Sequence, residues 1–216
     1  LSLAFALAAN VYNETFDAAN KAYSSANYAE AIRLNEQLVA ESVAAPEVFY
    51  NLGNAYYRSG RLGPAIANYE RALRLDPGFT NARENLNRAV TQTQRRLARP
   101  LPPDWEQSLL FWHYNLSRAA THVLAALFWI AFWCLLAVRL WKRIRYLRLA
   151  AVFVGLLALA FGASAWAKAQ PSNLAVTSET KVEAHYGPAE TETTRFELYE
   201  GDRVTIDSRS GGWLRV

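Results

Sequence analysis

The reactive side chains of this 216-residue chain are three histidines, a single cysteine and a scatter of carboxylates, and their placement argues against catalysis. His113, His122 and His185 are too far apart in sequence for the ligand pairs of a zinc site, which recur within a few residues. Cys134 lies in an apolar run with no base beside it, where the neutral thiol is favoured, the opposite of an activated nucleophile. As the only cysteine it also excludes an internal disulfide. No glycine-rich phosphate loop occurs, and Gly60-Arg61-Leu62-Gly63 reads as a turn between helices. Glu30, Glu36, Glu70 and Glu84 fall at spacings expected of solvated helix faces. The expectation is a protein that is not an enzyme and holds no metal or cofactor.

Binding chemistry is better represented. Phe16, Asn20 and Tyr23 are repeated by Tyr50, Asn54 and Tyr57, with Asn51 and Arg58 beside them. The elements that would position this set follow a repeat of about 34 residues. With Pro46 as its first position, Phe49, Leu52, Gly53, Tyr56, Gly60, Ala65, Tyr69, Ala72 and Pro77 occupy the places of a tetratricopeptide unit. Gly53 and Ala65 are small where two helices cross, Tyr56 and Tyr69 fill the space alongside, and Pro77 ends the second helix. One repeat length earlier stands a weaker copy, with Ala19, Ala26, Tyr28 and Ala31 for Gly53, Gly60, Leu62 and Ala65. One repeat length later, residues 80–97 read as a polar-faced capping helix.

In such a stack the first helix of each unit lines the concave side. The expected protein-binding groove is therefore Phe16, Asn20, Tyr23, Tyr50, Asn51, Asn54, Tyr57 and Arg58, with Ser24 alongside and Glu84 and Arg88 from the cap. Its aromatic and amide groups suit an extended peptide. The same ladder is also what plain helix packing would produce. Phe16 stands where a carboxylate-clamping groove would carry Lys, so no such clamp is expected.

Hydrophobic residues make up 52% of the chain, and the excess is concentrated in one stretch: Trp105 to Trp166 holds six of the seven tryptophans. Ala119–Val138 and Leu149–Ala167 are uncharged runs long enough to cross about 30 Å of hydrocarbon. Between them RLWKRIRYLR (139–148) has five basic residues and no acid, which makes that loop cytoplasmic and places both flanks on the opposite side, the periplasm in a diderm cell. The formal charge of +4 turns negative once the basic residues of 107–172, a stretch without Asp or Glu, are set aside. No basic patch remains for nucleic acid. Phe128, Trp129, Phe132 and Trp133 sit near mid-span, against either another membrane protein or the small residues Gly155, Ala158, Gly162 and Ala163. Residues 1–9, LSLAFALAA, read as the tail of a secretory signal or as an apolar cap on the first helix.

Beyond Asn173 the pattern turns to short alternating strands, LAVT, KVEAHY, RFELY, RVTID and WLRV, broken at Gly187-Pro188, Glu200-Gly201-Asp202 and Ser210-Gly211-Gly212. They read as a small, incomplete all-β SH3-like barrel. Tyr186, Tyr199 and Trp213 are its candidate ligand surface, for a peptide or for peptidoglycan, and Trp213 reads equally as a core residue. The expected organisation is a multi-domain chain: a signal-peptide remnant (1–9), tetratricopeptide helices (10–98), a proline linker and interfacial segment (99–117), a transmembrane α-hairpin (118–168) and the SH3-like segment (173–216).

This order of parts resembles the BatE family of the Bat aerotolerance operons. The pieces that carry the resemblance are NLGNAYYRSGRLGPAIANYERALRLDP (51–77), ARENLNRA (82–89), and the run from Gly187-Pro188 through LYEGDRV (198–204) to GWLRV (212–216). The resemblance implies an inner-membrane scaffold beside von Willebrand factor A type membrane proteins and a MoxR-type AAA+ ATPase, tied to stress or oxygen tolerance. An accessory role in peptidoglycan remodelling is the competing expectation.

Overall fold

The computed structural model describes residues 2–142, 144–189 and 192–216, with side chains from Val11 onward. The chain divides into two compact units. One comprises residues 2–75, Phe79–Leu101 and Asn173–Val216, and the other comprises Pro102–Ser172 with Asp76–Gly78.

In the first unit, α1 (Ser2–Ser24), α2 (Tyr28–Ala40), α3 (Pro46–Arg58), α4 (Leu62–Leu75) and α5 (Thr80–Gln92) pack as successive neighbours. The side chains that would decide whether residues 1–9 are a signal remnant lie outside the described residues, and the backbone from Ser2 continues into α1. Pro46 opens α3 at its first turn, where the missing N–H is not needed. The core, Leu52, Tyr56, Ala65, Ile66, Tyr69, Ala72, Ala82, Leu86 and Ala89, follows the apolar positions of the repeat.

Two turns show that the repeat is physical. After α3, Gly60 adopts φ 81° and Arg61 N–H donates to the Tyr56 carbonyl at 3.0 Å. After α1, Ala26 adopts φ 59° and Asn27 N–H donates to the Ala22 carbonyl at 2.9 Å. Each residue of the second turn sits one repeat length before its counterpart. The weaker copy therefore forms the same left-handed helix stop, with alanine held where glycine is favoured.

The cap helix is shorter than expected: it ends at Gln92, and Thr93 N–H and hydroxyl both turn back onto the Val90 carbonyl. Residues 93–101 then run along the strand segment. There β1 (Leu174–Val176) pairs with β4 (Arg203–Thr205), β2 (Lys181–His185) with β3 (Thr194–Tyr199), and β5 (Ser208–Ser210) with β6 (Trp213–Arg215), all antiparallel. These are three two-stranded sheets among the described residues, and no closed barrel forms. β5 has no strand signature, since Ser-Arg-Ser is polar throughout, and it is held as a strand by pairing with β6 across Gly211-Gly212.

The strand segment, expected as a separate domain, belongs to the unit of the repeats. Glu70, expected on a solvated face, is instead 5% exposed and receives Arg203 Nη1 at 2.9 Å. Arg99 Nη1 approaches its other oxygen at 3.2 Å. Arg203 Nη2 also donates to the Leu97 carbonyl, at 2.6 Å, and Arg95 Nη1 to that of Glu197, at 2.7 Å. Gly63 N–H donates to Glu200 Oε1, and a β-carbon at Gly63 would lie 2.4 Å from the Thr177 carbonyl oxygen. Two buried charges leave water here only because they meet each other.

The second unit contains α6 (Asp104–Leu109), α7 (Phe111–Asn115), α8 (Arg118–Trp141) and α9 (Arg145–Ala169). Ser117 caps α8, its hydroxyl accepting from Ala120 N–H at 3.1 Å. α8 and α9 are each long and apolar enough to cross a membrane. They pack as a pair through aromatic rings on small residues: Phe132 lies against Gly155, and Phe128 against Phe161 with ring centroids 5.2 Å apart. Trp129 and Trp133 point outward, each 52% exposed, and Cys134 is exposed beside them. The mid-span aromatics thus divide into an inward pair and an outward pair.

Candidate functional site

The helix-A face is built by α1, α3 and α5, which follow one another across the stack. Asn51 Nδ2 of α3 donates to Asn20 Oδ1 of α1 at 2.8 Å. Further along α3, Asn54 Oδ1 accepts from Tyr69 Oη and from Asn85 Nδ2 of α5, both at 2.8 Å. Asn85 Nδ2 also lies 3.4 Å from Tyr50 Oη, and Gln92 Nε2 donates to Tyr57 Oη at 2.5 Å. A chain of neutral amides and phenols, in three separate pieces, thus ties α3 to α1, α4 and α5.

The aromatic members are arranged around that chain. Tyr50 packs on Phe79 and Tyr69, with centroids 5.0 and 6.3 Å away, and Phe16 stacks on Tyr12 at 5.8 Å. Tyr23 meets Tyr28 edge to face at 5.5 Å. Arg58 donates to Tyr28 Oη at 3.1 Å and holds its guanidinium 5.6 Å from that ring. Burial pushes the Tyr23 and Tyr69 phenols up from their usual range, so these hydroxyls stay protonated and available to donate. Tyr56, buried behind the face and bonded to Glu36, is pushed up to about 12, by burial first and by the Glu36 carboxylate second.

Of the residues expected to line the groove, Asn20, Tyr50, Asn51, Asn54 and Tyr57 each take part in one of these bonds, and Phe16 and Tyr23 flank them as half-buried rings. Arg58 and Arg88 are exposed at its margin, on α3 and α5. Asn85, Gln92 and Tyr28 were not among the expected residues. Asn85 lies one repeat length after Asn51, so the spacing that aligned Leu86 with Leu52 also contained that signal.

The three aromatic residues expected on the strand segment are not joined to one another among the described residues. Trp213 meets His185 edge to face at 6.4 Å, Tyr186 is 70% exposed under the Arg195 guanidinium, and Tyr199 faces Arg95. Tyr199 is thereby committed to the contact with the repeats.

Residues 46–79 match the family model described as tetratricopeptide repeat. Among solved structures, the tetratricopeptide domain of Sgt2 from Aspergillus fumigatus is 28% identical over 37% of this chain, with a TM-score of 0.35. The match covers 52% of that domain's chain, about half its length. No curated protein sequence matches. The α3–α4 pair, with the turn and proline that follow it, is a tetratricopeptide repeat.

Proposed function

We propose that the chain is a membrane-anchored adaptor that binds a protein partner along the face of α1, α3 and α5, and that it is not an enzyme. The observation that carries this reading is the repeat at 46–79, whose first helix contributes Asn51, Asn54 and Tyr57 to a continuous polar and aromatic face. An extended peptide would find stacking surface on Tyr23, Tyr50 and Tyr57 and charge at Arg58 and Arg88.

Anchoring is supported by α8 and α9. None of the most apolar stretch of α8 is buried, and only 17% of that of α9, so they are not built like core helices of a water-soluble domain. The first unit draws on chain from both sides of this hairpin, which supports a reading with both flanks on the same side of a membrane. The basic turn between the helices supports an extracytoplasmic side, periplasmic in a diderm cell. The order of parts supports a place in a Bat-type envelope complex, with von Willebrand factor A membrane proteins as direct partners and a MoxR-type ATPase beyond them. The strand segment then serves as an SH3-like module fixed to the repeats.

The test is crosslinking in native membranes with a photoreactive residue at Glu84, exposed on α5, followed by mass spectrometry of the adduct. Recovery of a von Willebrand factor A type protein, lost in the R58E/R88E variant while membrane retention is unchanged, is the expected result. Adducts that are insensitive to both substitutions would overturn the groove as the binding face.

A further inference from the structure

The end of the α8–α9 hairpin has a cleft of about 990 Å³ that combines two unlike linings. Arg139 from the last turn of α8 and Arg145 and Arg148 from the first turn of α9 converge on it. Leu136, Leu140 and Ile144 supply apolar walls. The three guanidiniums have no acidic neighbour in sequence, because residues 107–172 contain no Asp or Glu, and no ion pair involves them among the described residues. Among the described residues their charge is uncompensated. A helix N-terminus adds to it: α9 begins here, and its N-cap, Ile144, offers no side-chain acceptor to the first N–H groups. Trp141 and Tyr146 flank the cleft at 94% and 77% exposure, the ring types that settle at the level of lipid headgroups.

We infer that this cleft binds one anionic phospholipid, its phosphodiester held by Arg139, Arg145 and Arg148 and the start of its acyl chains laid against Leu136 and Leu140. The inference rests on the membrane-spanning reading of α8 and α9. A planar guanidinium pairs two N–H groups with two phosphate oxygens, and three of them around one apolar cleft select a ligand that is anionic at one end and hydrocarbon at the other. A soluble phosphate satisfies only the arginines. A neutral phosphatidylcholine headgroup brings its own cation into a site that already has three.

Native mass spectrometry of the full chain released from detergent micelles, titrated with dioleoyl-phosphatidylglycerol or dioleoyl-phosphatidylcholine, tests the inference. One phosphatidylglycerol should be retained in preference to phosphatidylcholine, and R139Q/R145Q/R148Q should weaken retention about a hundred-fold, since each basic residue near an anionic surface contributes about a factor of five. The variant A137W keeps every charge and puts an indole on the cleft wall; it should weaken retention at least ten-fold. Equal retention of the two lipids by the native chain overturns the inference, and so does undiminished retention by A137W, which would mean diffuse attraction. Displacement of the lipid by millimolar glycerol phosphate would assign the arginines to a soluble phosphate and reject the lipid. Carbonate extraction of cell membranes separates the two levels: release of the chain removes the membrane reading and this inference with it, whereas a retained chain with no lipid preference removes the inference alone.

Discussion

The first copy of the repeat places Ala19 and Asn35 where the second places Gly53 and Tyr69. All four are buried, yet the crossings are filled differently. In the second copy the Tyr69 ring occupies the space over Gly53, where an added β-carbon would lie 2.7 Å from ring atoms, and its hydroxyl reaches Asn54. In the first copy alanine already supplies that β-carbon and the facing residue is the shorter Asn35. Asn35 bonds back to the Ala31 carbonyl, and its Oδ1 has no hydrogen-bond partner among the described residues. Asn20, with no tyrosine opposite it, keeps only the bond from Asn51, the counterpart of the bond that Asn85 makes to Asn54. The lesson is that Tyr69 does two jobs, filling volume and adding a second donor to the polar ladder, while the bond from the neighbouring repeat is common to both copies.

The largest expected effect comes from moving the first copy's solution into the second. Gly53→Ala should destabilise α3 and α4 by about 1–3 kcal/mol through the clash with Tyr69. In the double variant with Tyr69→Asn the two losses should fall short of additivity by about 1 kcal/mol or more, read by amide hydrogen exchange on the full chain. Strict additivity would show that the two crossings are not alternative packings of one site. Next, Asn54→Ala removes the acceptor of both Tyr69 and Asn85 and should lower the opening free energy of α3 by about 1–3 kcal/mol; the same change at Asn20, which accepts one bond, should cost less. Smaller still, Ala26→Gly should protect the α1–α2 turn by about 0.5–1 kcal/mol, and Gly60→Ala should cost a similar or slightly larger amount, because both positions are left-handed. The smallest effect distinguishes Tyr56 from its counterpart Ala22. The folded Tyr56 phenol titrates above its ordinary value of 10, at about 12, so the stability it contributes is complete below pH 10 and is lost as pH rises through 12. Protection in the second copy, taken relative to the base-catalysed exchange common to all amides, should therefore fall over that window, and Tyr56→Phe should reduce the fall.

The repeat was legible in the sequence because its determinants are local: a small residue at a crossing, a left-handed stop one helix later, a proline at each end. The hairpin was legible for a similar reason, through length and the absence of charge, although α8 and α9 run closer together at their connection than the ten-residue loop 139–148 implied. What stayed hidden depended on partners remote in sequence. Glu70 has the spacing of a surface carboxylate, and only Arg203, which arrives from beyond the hairpin, makes it a buried residue. The same remote contacts end α5 at Gln92 and draw Arg95 and Arg99 toward the strands. Of the candidate groove, the repeat spacing located the α1 and α3 members, and the same spacing carries Asn51 to Asn85 and Arg58 to Gln92 on α5, which the structure adds.

The Glu70–Arg203 pair also sets an order of events during synthesis. The two residues are 133 positions apart, with the whole hairpin made between them. The repeats are complete in the nascent chain well before Arg203 exists, so α4 first folds with its carboxylate still hydrated and the surface around Gly63 and Ile66 uncovered. That surface closes only after α8 and α9 have been made and Asn173–Val216 has arrived. Completion of the first unit is thereby coupled to synthesis of the helix pair, and a chain stalled within that pair displays an open α4 face that quality-control proteases or chaperones can distinguish from the finished molecule.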